Sequence, residues 1–381
     1  MTTVIAPEVP VDAAALTDPA PAAPPVAAVR NAHERFFDAG YARTVDEHDR
    51  VLWETLQRLT TSGKRFRPAL LLELYTVLGG RDLETASKVA DAVELLHTAF
   101  VIHDDVIDGD DVRRGRPNVS GTFQARARST GASPARARLY GEAAGILAGD
   151  LALAGAVREV ALCGARPDVV VRLLDLLEEV LHRSAVGELA DVRVSLTPDA
   201  SMTEVLDVAE CKTAAYSFEL PLRAAGLLAG VPEDVVTALG AVGRHLGTAF
   251  QLCDDLNGVF GSAEETGKDP LGDLREGKCT ALIAIARSRP EWQELARFVG
   301  NPDLTAQGAH RARELLTACG ARQTVEGLVR DQRQAAISEA TALPAAARAA
   351  VLGLIDRLVP LTVTGIAPAA ASARSRMRGA A

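Results

Sequence analysis

The chain of 381 residues is 48% hydrophobic but only 4% aromatic, long enough to bury one large core or two ordinary ones. Its formal net charge of −9 argues against a surface that follows nucleic-acid phosphates. No apolar run reaches the roughly 18 residues of a membrane span, and the start lacks a basic stretch followed by an apolar one, so stable membrane insertion is not expected. Cys163, Cys211, Cys253, Cys279 and Cys319 are scattered, without the spacing of a zinc site or disulfide framework, and predict a reducing, cytoplasmic setting.

Residues 1–29 are rich in Ala, Pro and Val, and Pro7, Pro10, Pro19, Pro21, Pro24 and Pro25 interrupt any helix, so a disordered tail is predicted. The segment 82–108 contains no Gly or Pro, opens on Asp82 as a candidate N-cap and stops at Gly109, the pattern of one long helix. A second helix is predicted from about Pro232 to Phe260, with internal glycines that permit close helix contacts. Between the tails only short turns such as Gly79-Gly80 interrupt the pattern, which predicts one domain over 30–367. The end, 368–381, with Arg374, Arg376 and Arg378, reads as a flexible basic tail. Ala, Leu and Val dominate, strict alternation is rare, and neither heptads nor short repeats occur. The fold class expected is therefore all-α, a packed helical bundle.

Asp104 and Asp108 lie one turn apart on the first long helix, with Asp105 beside them, and Asp254-Asp255 repeats an acidic pair within the second. An isolated Asp-Asp pair is ordinarily a solvated helix face. Here Val, Ile, Leu and Phe flank both pairs and predict burial, and crowded buried carboxylates need protons or cations. Oxygen-only donors on rigid helices suit magnesium that also binds substrate phosphates. Basic clusters accompany them: Arg113-Arg114-Gly115-Arg116 after the first pair, Lys268 and Lys278 after the second, and Lys64-Arg65-Phe66-Arg67 upstream. Each alone is surface charge; together they imply two diphosphate sites, one bridged by metal and one held by cations. His97 falls two turns before Asp104 on nearly the same face, with a satisfied core histidine as the alternative. Lys212, Thr213, Tyr216 and Gln251 add polar groups to helical segments.

With these motifs in order, the chain resembles the trans-prenyltransferase, or polyprenyl synthetase, family over about 31–361, and within it the short-chain type that makes geranylgeranyl diphosphate. The matching features are Gly63-Lys64-Arg65-Phe66-Arg67-Pro68, Asp104-Asp105 with Asp108, Arg113-Arg114-Gly115-Arg116-Pro117, Lys212-Thr213, Phe250-Gln251 before Asp254-Asp255, Gly267-Lys268, and Asp273 through Thr280. The resemblance implies a helical bundle of isoprenoid-synthase type around a central cavity, and a homodimer. It implies that Asp104, Asp108 and Asp254 hold Mg2+ on an allylic diphosphate, supported by Asp105 and Asp255. Arg113, Lys212, Lys268 and Lys278 would neutralise that leaving group. Lys64, Arg67, His97 and Arg114 would grip isopentenyl diphosphate, and Thr213, Tyr216 and Gln251 would border a carbocation.

Two positions depart from the pattern. Gly258 stands where many relatives place a third aspartate, and Glu188 stands where Gln is common. Product length is expected to depend on Ala99 and Phe100, before Asp104: Phe100 can close a tunnel, while Ala99 leaves space. Geranylgeranyl diphosphate is the product expected, with farnesyl or longer products as alternatives. A class I terpene cyclase would also ionise a prenyl diphosphate but needs no isopentenyl site, and a noncatalytic partner subunit would share the family likeness.

Overall fold

Long helices with small residues along one face bury that face against other helices, and the computed structural model is built this way. The structure describes residues 26–63, 65–196, 200–261 and 272–360. Lys64, Lys268 and the segment 368–381 lie outside the described residues.

In chain order the helices are α1 (Val26–Tyr41), α2 (Glu47–Thr61), α3 (Phe66–Val77), α4 (Leu83–Asp108), α5 (Val119–Ser129), α6 (Pro134–Ala161), α7 (Pro167–Leu196) and α8 (Met202–Val208). A π-helix (Ala209–Glu219) runs on into α9 (Leu220–Ala229) and is followed by α10 (Glu233–Phe260). The described remainder is α11 (Gly272–Glu276), α12 (Ala281–Arg287), α13 (Trp292–Leu295), α14 (Ala306–Ala318), α15 (Ala321–Glu339) and α16 (Ala345–Leu358). The fold is all-α. Residues 1–25 of the expected tail also lie outside the described residues, α1 begins at Val26, and a small antiparallel hairpin that the sequence reading did not foresee pairs β1 (Val112–Arg113) with β2 (Arg116–Pro117). Arg114 and Gly115 both take left-handed φ, 53° and 72°, as a tight two-residue hairpin turn requires.

The two helices predicted from breakers and caps form as read. Asp82 caps α4 by accepting from the Thr85 amide at 3.1 Å, and Gly109 ends it in the left-handed conformation with φ 74°. α10 starts immediately after Pro232. The core runs between them: Leu95, Leu96 and Ile102 of α4, Phe218 of the π-helix, and Leu239, Leu246 and Leu252 of α10 are all but fully buried. Each such side chain contributes about 1.5–3 kcal/mol relative to exposure.

Small residues decide how closely the site-bearing helices approach. A Cβ added at Gly149 of α6 would lie 2.2 Å from the His103 ring, and one at Gly145 would lie 2.4 Å from Val106. Thus α6 lies directly against the last turns of α4, where the acidic cluster is. The π-helix is wedged in the same way. A Cβ at Gly187 of α7 would sit 2.5 Å from the Lys212 amide nitrogen, and one at Gly247 of α10 would sit 2.5 Å from Ala214 Cβ. Its far end is anchored by Glu219, fully buried, which accepts from Arg183 at 2.6 Å, Arg244 at 2.9 Å and Arg223 at 3.1 Å.

Candidate active site

The last turns of α4 present Asp104, Asp105 and Asp108, and the hairpin that follows turns Arg113 back onto them. Arg113 Nε donates to Asp105 Oδ1 at 2.7 Å, and its Nη2 lies 3.4 Å from Asp104 Oδ2. Lys212 enters from the π-helix with Nζ 2.9 Å from Asp104 Oδ1, 2.7 Å from Asp191 Oδ2 and 3.0 Å from Glu188 Oε2. Burial opposes the charge of Lys212, but Asp104 and Asp191 overcome it and push its pKa upward. Burial raises the carboxyl pKa of Asp105 and Asp108; Arg113 counters this at Asp105, whereas the neighbouring Asp104 adds to it at Asp108. Glu188 is likewise raised by burial and held down by Lys212.

The second acidic pair lies on α10, and Lys278 interacts electrostatically both with Asp255 and with Lys212 and Asp191 of the first group. Thr213 Oγ1 donates to Gln251 Oε1 at 2.8 Å, and Gln251 Nε2 donates to Asp255 Oδ1 at 2.8 Å, which ties the π-helix to the acidic turn of α10. Burial pushes the Asp255 carboxyl up to about 7 despite the opposing charge of Lys278. At Lys278 burial again works against the charge, and Asp255 restores it.

A separate cationic group sits where α3, α4 and the π-helix meet. Arg67 Nε and Nη2 donate to the buried Ser217 Oγ at 3.0 and 2.9 Å, and its guanidinium lies 4.5 Å from the Phe66 ring centre and 5.2 Å from that of Tyr216. His97 stacks on Tyr216 with ring centres 5.8 Å apart. The pKa of His97 is driven well below its usual value by burial and then by Arg67, Arg113 and Arg114, so the ring is neutral near pH 7. Arg114 Nη1 donates to the Ser62 carbonyl at 2.8 Å, beside the segment that carries Lys64. Phe100 packs on Tyr216 at 5.0 Å between centres, and Ala99 is buried in the core.

The donor set fits a hard divalent cation. It is all oxygen, burial and then the neighbouring carboxylates raise the pKa values of Asp108 and Asp255, and Asp105 Oδ2 is buried with no hydrogen-bond partner among the described residues. Among the described residues no three acidic, His or Cys side chains form a ready-made cage.

Residues 49–316 match the family model described as polyprenyl synthetase. The chain belongs to the polyprenyl synthetase family. It is 33% identical over 314 residues to the geranylgeranyl diphosphate synthase of Mycobacterium tuberculosis, covering 81% of this chain and 83% of that protein. It is 29% identical over 318 residues to the geranylfarnesyl diphosphate synthase of Aeropyrum pernix, covering 82% and 94%. The geranylgeranyl pyrophosphate synthase of Corynebacterium glutamicum, solved with isoprenyl diphosphate and magnesium, superposes with a TM-score of 0.79 at 28% identity, covering 88% of this chain and 98% of that one. This polyprenyl synthetase is thus a prenyl-transferring enzyme.

Sequence reasoning missed several residues that this polyprenyl synthetase brings to its site. Asp191 holds Lys212, and its only signal was its position three residues after Glu188 on one helix face. Ser217 orients Arg67. Asp91, fully buried on α4, lies 2.7 Å from His33 Nδ1 and accepts from Arg65 Nη2 at 3.1 Å, which secures a residue held at a left-handed φ of 48° between Lys64 and Arg67.

Proposed function

We propose that this polyprenyl synthetase extends an allylic diphosphate with isopentenyl diphosphate, with magnesium as cofactor, and that geranylgeranyl diphosphate is its chief product. Farnesyl or longer diphosphates are the alternative lengths. The observation that carries the reading is the contrast between two cationic groups. Lys212 and Arg113 are engaged by carboxylates. Arg67 and Arg114 donate to the Ser217 hydroxyl and the Ser62 carbonyl, and the buried Glu94 carboxyl acts on Arg67 through space rather than by a hydrogen bond. The second group is charged to receive an anion directly, and the first is set to receive one together with divalent cations. A cyclase has no use for the second group.

Magnesium, when bound by Asp104, Asp108 and Asp254, supplies Lewis-acid charge that stabilises the departing diphosphate. Lys212, Arg113 and Lys278 add fixed positive charge where negative charge grows as the carbon–oxygen bond breaks. Arg67, His97 and Arg114 hold the isopentenyl diphosphate so that its double bond meets the allylic cation before water does. Thr213, Gln251 and Tyr216 border that cation, and the proton lost after bond formation passes to the released diphosphate. Phe100, on Tyr216, stands at the start of the space for the growing chain.

A second copy of the chain is the proposed partner, supported by the exposed apolar residues Leu139, Ile146 and Leu147 of α6 and Val171, Val186 and Leu189 of α7. The unpaired cysteines support a reducing, cytoplasmic compartment. No helix among the described residues is long and apolar enough to cross a membrane.

The test is chromatography of the products that the purified chain forms from isopentenyl diphosphate and each allylic diphosphate, with magnesium or with chelator. Elongation that chelator abolishes supports the reading and names the principal product. Cyclic hydrocarbon without consumption of isopentenyl diphosphate, or no turnover of any substrate, sinks it.

A further inference from the structure

Gly258 lies one helical turn after Asp254 on α10 and so shares its face. The structure shows what fills the place of a side chain there. A Cβ built on Gly258 would lie 2.1 Å from Asp273 Oδ2 and 2.9 Å from Asp273 Cγ. The Asp273 carboxylate therefore occupies the volume that the first carbon of any residue at 258 would take. It arrives from a different element. Asp273 belongs to α11, which ends at left-handed Gly277 with φ 73°. Leu274 is buried, its carbonyl accepts from the Gly300 amide at 2.8 Å, and the Asp273 carbonyl accepts from the Lys278 amide at 3.2 Å. The backbone around Asp273 is thus fixed by groups outside α10.

We propose that Gly258 is an opening in α10 that admits Asp273, and that Asp273 supplies to the Asp254 face the carboxylate that many relatives take from residue 258. The second acidic cluster is then complete in carboxylates but assembled from two segments, and the same short segment that brings Asp273 also brings Lys278. Asp273 acts as a positioning group for the cation and diphosphate bound at this face. A side chain at 258 and a carboxylate at 273 compete for one volume, so the two positions are coupled. The inference rests on the proposed use of magnesium and diphosphate.

The coupling is tested by titrating inorganic diphosphate into the full chain in the presence of magnesium, followed by calorimetry, with circular dichroism and thermal melts to confirm folding. Asp273→Asn keeps the shape and removes the charge, and is expected to weaken magnesium-dependent diphosphate binding by about 10–100-fold, the range for groups that support metal ligands. Gly258→Asp alone is expected to weaken it too, because the new side chain collides with Asp273. The double variant Gly258→Asp, Asp273→Ala is expected to recover most of the binding lost by either single change. Binding unaffected by Asp273→Asn, or a double variant as weak as the worse single one, overturns the inference while leaving the proposed function intact. A wild-type chain that binds no diphosphate with magnesium overturns both.

Discussion

Lys212 concentrates the electrostatics of the site in one group, since Asp104, Glu188 and Asp191 all lie within 3.0 Å of its Nζ. Lys212→Gln removes the cation that those three carboxylates share, so it is expected to lower kcat by about 10²–10³-fold, as loss of one transition-state donor does. Steady-state kinetics with a saturating allylic substrate check this, and an unchanged kcat would remove Lys212 from the chemistry. His97 differs because its ring is neutral near pH 7. Its folded pKa lies below the unfolded value, so its contribution to stability is present above about pH 6.5 and is lost as pH falls from there through the lower folded value. His97→Gln keeps a neutral hydrogen-bonding group. It is expected to reduce the fall in melting temperature between neutral and mildly acidic pH, and to raise the KM for isopentenyl diphosphate less than the roughly tenfold expected for His97→Ala. Equal pH profiles for wild type and His97→Gln would contradict this. Phe100 stacks edge-on to Tyr216 with centres 5.0 Å apart, and Phe100→Ala opens space toward the apolar core. Chromatography is expected to show longer products than the wild type; an unchanged distribution would mean that another residue sets the length.

The π-helix is the element on which the site depends, because it delivers Lys212, Thr213, Tyr216 and Ser217 between α7 and α10. Gly247→Ala would place a methyl group 2.5 Å from Ala214 Cβ and is expected to destabilise the fold by about 1–3 kcal/mol, as overpacking does. It is also expected to lower kcat, since the displaced π-helix carries Lys212. Denaturant midpoints and kinetics report the two effects; no change in either would show that the wedge is not tight. This element was not legible in the sequence. Residues 209–219 have the apolar spacing of an ordinary helix, and the wider hydrogen-bonding pattern arises from packing between two glycine-bearing neighbours. α4 and α10 were legible because local signals act within a few residues: Asp82 and Gly109 bound α4, and Pro232 precedes α10. The hairpin at 112–117 was missed because strands of two residues carry no alternation to read. Asp191 and Asp273 were not assigned roles because each is an ordinary helical acid until the fold sets it against Lys212 or Gly258.

At the scale of the whole molecule, the helices that carry the site also carry most of the exposed large apolar side chains among the described residues. α6 lies against the acidic turns of α4, and α7 supplies Glu188 and Asp191, yet Leu147 and Leu189 on these helices are 57% and 72% exposed. A chain with net charge −9 is well solvated elsewhere, so a concentration of exposed leucine and valine on two helices calls for a partner. A two-fold interface would set each α6–α7 face against its own copy, so that one added charge appears twice. Leu147→Glu combined with Leu189→Glu would therefore place four carboxylates across the proposed interface without touching the core. Sedimentation velocity is expected to show a dimer for the wild type and a monomer for the double variant. Because association stabilises the folded chain by mass action, the wild-type melting temperature should rise with protein concentration and that of the variant should not. A double variant that sediments with the wild type would place the contact on another face, and a monomeric wild type would mean that these leucines meet a different partner.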